Sequence, residues 1–74
     1  YSLVQEKVDP ASPVVGRKVR ELVLPEDCAL TVIIRSSKVV VPHGDTVIEA
    51  GDEVFAIARA EQAKALAAIL GPAA

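Results

Sequence analysis

A chain of 74 residues is one domain at most, and a domain this short buries only about 60% of its unfolded surface. Eight basic and ten acidic residues are interspersed to a net charge of -2, and Tyr1 and Phe55 are the only aromatics, a pattern that lacks the basic stripe and stacking rings of a nucleic-acid binder. No apolar run approaches the roughly 18 residues of a membrane helix, and the 51% hydrophobic content exceeds what so thin a core absorbs, which points to a face for self-association.

The first four residues of Tyr1-Val8 are strand-like, and Asp9-Pro10-Ala11-Ser12-Pro13 is a proline-restricted loop. A short helix is predicted over Val14-Leu22, with Ser12 and Pro13 as its cap and first turn and with Val15, Val19 and Leu22 on one apolar face. Pro25-Glu26-Asp27 turns the chain into Cys28-Arg35, the strongest strand, which is β-branched and almost wholly apolar. Ser36-Ser37 is a two-residue break before a second strand, Lys38-Val41, and the pair reads as a β-hairpin in which Val39 and Val41 share a face. Pro42-Asp52 follows as two Gly-Asp turns around Thr46-Val47-Ile48, a brief turn or half-strand. Glu53-Ala58 is the last strand. Glu61-Leu70 is the clearest helix, with Ala63, Leu66, Ala67 and Leu70 on one stripe and Gly71-Pro72 as its stop. The order is βαβββα, an α+β domain with a small sheet and two helices, spanning residues 1-74 as a single unit.

Little in this pattern is catalytic. Cys28 and His43 are the single cysteine and histidine, too few for a disulfide or a zinc site, and the lone thiol suits a reducing, cytoplasmic setting. Cys28 opens an apolar strand and reads as a small core residue. Glu49, Asp52 and Glu53 sit at a turn and read as solvated carboxylates rather than an acid-base pair. No glycine-rich phosphate loop is present, so the chain is not read as an enzyme and no metal or cofactor is expected. What remains is Ile34, Arg35, Ser36, Ser37, Lys38 and His43 around the hairpin turn. The simplest reading of that cluster is a solvated tip; the alternative is a contact for a small anion at an interface. The chain contains no methionine, and a complete translated product begins with one, so the chain is read as a piece of a longer protein.

Several stretches together resemble the TrkA C-terminal domain, also called the RCK C-terminal domain. They are Ser12-Pro13 with Gly16 and Glu21-Leu22, then Leu24-Pro25, Ile33-Ile34-Arg35, Val39-Val40-Val41-Pro42, and Gly44-Asp45-Thr46-Val47-Ile48-Glu49-Ala50-Gly51-Asp52. The last is the family's most diagnostic phrase, and the match runs in order from Val4 to Leu70. Ser36-Ser37 departs from the acidic or Asn residue followed by Gly that the family often has. The resemblance implies a dimeric cytoplasmic regulatory module, peripheral to the inner membrane through a potassium or cation transporter or channel subunit. In such proteins the module usually follows a Rossmann-like nucleotide-binding domain in the same chain. Some members bind cyclic di-AMP between two subunits, near the hairpin and the following strand. On that basis Ile34, Arg35, Ser36, Ser37, Pro42 and His43 are the candidate ligand contacts, with Arg35 for the anion. Val32, Ile34, Val39 and Val41 are the candidate dimer interface. A ligand-free module that only holds transport subunits together is the competing expectation.

Overall fold

The computed structural model describes residues 1-72. Four strands, β1 (Ser2-Lys7), β2 (Ala29-Arg35), β3 (Lys38-Val40) and β4 (Glu53-Ala58), form one sheet in the order β1-β4-β2-β3, and a single α-helix, α1 (Ala60-Leu70), closes the described chain. All three pairings are antiparallel. The last strand is therefore central, held between the first strand and the apolar β2. Alternation along β4 sends Val54, Ala56 and Ala58 into the core, where Ile33, Ile48, Leu66, Leu70, Val8 and Val14 meet them. Each fully buried Val, Leu or Ile among them is worth about 1.5–3 kcal/mol.

The α+β class stands, but the first expected helix does not form. Residues 14-22 contain turns and a single 3-10 turn, Val19-Glu21. The cause is a competing partner for the backbone. Gly16 takes φ +83°, outside the helical region, and its N–H donates to the Ile48 carbonyl at 2.8 Å. Val19 N–H donates to Thr46 O at 2.8 Å and Arg20 N–H to Gly44 O at 3.0 Å, while Ile48 N–H donates to Arg17 O at 2.9 Å. The segment thus pairs with residues 44-48 through an antiparallel bridge between Lys18 and Val47, and its own backbone bonds are confined to short turns, Arg17 N–H to Val14 O, Glu21 N–H to Lys18 O and Leu22 N–H to Val19 O. Val14, Val15 and Val19 are β-branched and lose little by leaving the helix. The inward face shifts accordingly: Val14 is buried and Val15 exposed, while Val19 and Leu22 pack on the core as expected. Ser12 is buried; its hydroxyl donates to Ile69 O and accepts from Val14 N–H, tying the loop to the end of α1.

The final helix keeps its predicted stripe, with Leu66 and Leu70 buried and Ala63 and Ala67 half-buried. It starts without a side-chain cap, and Gly71 N–H closes it on Ala67 O at 2.9 Å.

The hairpin between β2 and β3 is a two-residue turn with Ser36 at φ 50° and Ser37 at φ 64°. Positive φ at both central positions is the geometry whose twist matches the flanking strands, and Asn-Gly fits it best. Replacing Ser36-Ser37 by Asn-Gly is therefore expected to stabilise the fold by about 1 kcal/mol, a rise in Tm of roughly 4–8 °C for a domain of this size. Thermal unfolding checks it, and an unchanged or lower Tm would contradict the turn assignment.

Candidate functional site

The stretch from Pro42 to Asp52 crosses the end of the sheet where the β2-β3 hairpin turns. Two local turns shape it. His43 N–H donates to the Thr46 hydroxyl oxygen at 3.0 Å, and Thr46 N–H donates back to His43 O at 3.0 Å. Asp52 N–H then donates to Glu49 O at 3.2 Å, with Gly51 at φ +84°, where glycine alone among residues carries no side-chain penalty. Gly51 N–H and Val8 O, and Val8 N–H and Asp52 O, join this second turn to the end of β1 at 2.9 and 2.8 Å.

Between that turn and β2 lies a clasp. Arg35 ends β2, and its side chain is 27% exposed. Its Nε donates to Asp52 Oδ1 at 2.9 Å and its Nη2 to Asp52 Oδ2 at 2.8 Å, a bidentate fork. Nη2 also donates to the Val47 carbonyl at 2.8 Å, and Nη1 lies 2.9 Å from Glu49 Oε2. Asp52 is 1% exposed and accepts a further hydrogen bond from Glu49 N–H at 3.0 Å. Burial pushes the Asp52 carboxyl up, but the Arg35 fork and the Glu49 N–H outweigh it, so the group sits below the usual carboxylate value. The Asp52 bond raises the Arg35 guanidinium in turn.

This overturns one reading of the sequence. Asp52 is not solvated; it is a buried anchor. Glu49 keeps 58% of its side chain exposed, yet it too is paired. Of the candidate ligand contacts, Ile34, Arg35, Ser36 and Ser37 are consecutive at the end of β2 and in its turn, while Pro42 and His43 begin the neighbouring turn beyond β3. Four of the five Arg35 N–H groups have internal acceptors, so an outside anion can meet this guanidinium only at Nη1. Cys28 is half-buried against the core, where burial raises its thiol pKa.

The sheet has a second, open face. The register puts Ile34 opposite Val39 and Val32 opposite Phe55, and Leu3 opposite Ile57. These point away from the core, because their neighbours Ile33, Val54, Ala56 and Ala58 point into it. A bulge between Leu30 and Val32, with the Thr31 hydroxyl donating to Phe55 O at 3.0 Å, keeps the alternation correct along β2. Val39 is 67% and Val41 71% exposed. The structure thus brings Val32, Ile34 and Val39 onto one surface, with Val41 exposed just past β3.

Among the described residues no helix is long and apolar enough to cross a membrane. The TrkA-C domain matches residues 3-71. The Trk system potassium uptake protein TrkA of Mycobacterium tuberculosis (strain CDC 1551 / Oshkosh) is 38% identical over 71 residues, 96% of this chain and 32% of that protein. A Trk system potassium uptake protein TrkA homolog of Archaeoglobus fulgidus is 31% identical over 70 residues, 95% of this chain and 16% of that protein. The chain therefore spans about a third or less of these relatives. A solved structure described as "Structure of RCK domain with cda" superposes with a TM-score of 0.85 at 26% identity, covering 95% of this chain and 99% of that one. With the sheet order, the closing helix and the Gly51-Asp52 turn all inside the matched span, the chain belongs to the TrkA-C domain family.

Proposed function

We propose that this domain is the cytoplasmic regulatory module of a potassium-uptake system, acting as a homodimer that senses a small anionic ligand. The observation that carries the reading is the near-complete match to domains of Trk potassium uptake proteins. The rest of the parent chain supplies a Rossmann-like nucleotide-binding domain, and the partner is a membrane potassium or cation transporter subunit. The open sheet face supports the dimer: aliphatic side chains there have no covering element among the described residues. The ligand we assign is cyclic di-AMP, placed between two copies at Ile34, Arg35, Ser36, Ser37, Pro42 and His43; the similar RCK structure is described as being with cda. In mechanism, the ligand favours one arrangement of the two copies and shifts that population, which the transporter reads.

Calorimetry with cyclic di-AMP tests this. Binding at one ligand per two chains is the expected result. Absence of heat, together with no thermal shift at high ligand concentration, would remove the ligand and leave the second reading, a ligand-free dimerisation module. That reading needs the open apolar face alone.

A further inference from the structure

The two carboxylates that hold Arg35 differ in kind. Asp52 is buried, takes the inner edge of the guanidinium through Nε and Nη2, and cannot leave without exposing a core position. Glu49 takes the outer nitrogen, Nη1, with a side chain more than half exposed. Its backbone is fixed, because its N–H donates to Asp52 Oδ2, so only the side chain has to swing for Nη1 to be released. The Val47 carbonyl occupies Nη2 as well, which leaves Nη1 as the one nitrogen with a displaceable partner.

We infer that Glu49 is an internal competitor for the anion site, a carboxylate that shares Arg35 Nη1 and that a phosphate must displace to take both N–H groups of that nitrogen. The inference rests on the proposed ligand reading and deepens it: Glu49 sets the affinity threshold, while Asp52 keeps the fork aimed. The chemistry recognised is a phosphate oxygen, which meets Nη1 as the Glu49 oxygen does. An exposed ion pair of this type is weak, so the cost of displacing it is modest. Removing Glu49 also removes its repulsion of the incoming anion.

The experiment is calorimetric titration of the parent chain, Glu49→Gln and Asp45→Asn with cyclic di-AMP at one salt concentration. Asp45 is an exposed carboxylate of the same segment, paired with Arg20 and not with Arg35, so Asp45→Asn matches the change in net charge. Glu49→Gln is expected to bind about fivefold tighter, and Asp45→Asn within twofold of the parent. The Glu49 side-chain carboxyl carbon resonance is expected to move on ligand addition to the parent. If the parent binds but Glu49→Gln binds no tighter, or if Asp45→Asn tightens binding equally, the competitor role is overturned and the ligand reading stands. If neither parent nor Glu49→Gln binds, the ligand reading fails and takes the inference with it. Glu49→Ala, which cannot bond Nη1 at all, is expected to bind at least as tightly as Glu49→Gln; weaker binding would also overturn the role.

Discussion

Asp52→Ala is expected to cost about 3 kcal/mol of folding stability, the low end of what removing one partner of a buried ion pair costs, since Arg35 keeps Glu49, the Val47 carbonyl and some water. A domain of 74 residues has a total of roughly 4–11 kcal/mol to lose, so this single change brings it close to unfolding at moderate temperature. The loss falls on a junction: Asp52 joins the end of β2 through Arg35, the 47-52 turn through Glu49 N–H, and the end of β1 through its own carbonyl to Val8. The pH dependence has a definite sign. The folded carboxyl sits below its unfolded value of about 3.9. Its contribution is therefore complete above about pH 4 and is lost as pH falls through the lower folded value. Asp52→Asn should flatten that part of the acid limb while lowering stability at neutral pH. Arg35→Met should do the opposite to Asp52, leaving a buried carboxylate without its fork and raising its pKa. Urea unfolding at pH 7, and thermal unfolding between pH 2 and 5, check both. An Asp52→Ala protein within 1 kcal/mol of its parent would show that the clasp is not what holds this corner together.

The strands were legible because their chemistry is local. Cys28-Ala29-Leu30-Thr31-Val32-Ile33-Ile34 is a β-branched, apolar run that suits no other element, and Glu53-Ala58 alternates large and small side chains within the sheet. The final helix was legible for the same reason, its stripe being a property of spacing alone. What sequence reasoning missed is decided by partners distant in the chain. The 14-22 segment has helical spacing, but residues 44-48 offer its N–H groups better acceptors, and Gly16 lets the backbone leave the helix. Asp52 looked like one more turn carboxylate beside Glu49 and Glu53. The available signal was its position: it directly precedes a buried strand, and the apolar β2 run ends in an arginine that needs an acceptor. The order of strands was legible in the local pattern; only the fold separates the buried carboxylate from the exposed one.

Val39→Asp combined with Val41→Asp is expected to convert the dimer proposed above into a monomer, raising the dissociation constant at least about 100-fold, or roughly 2.7 kcal/mol. A stable interface takes about 800 Å2 from each partner, a patch about 28 Å on a side. The molecule measures 28 × 27 × 20 Å, so a dimer of that strength uses most of one broad face. The sheet's open face is the surface with the apolar content to serve, and Val39 lies on it opposite Ile34. In a two-fold arrangement each substitution enters the contact twice, so four carboxylates must be desolvated or exposed. Val39 and Val41 are both mostly exposed in the single chain, so the monomer's own core is untouched and its circular dichroism should be unchanged. Sedimentation equilibrium across a concentration range decides the matter. A parent chain that stays monomeric at high concentration would refute the dimer. A doubly substituted chain that still sediments as a dimer would move the contact off this face. If the substitutions also abolish cyclic di-AMP binding without touching Arg35, the ligand site requires the second copy, and sensing and pairing are one event.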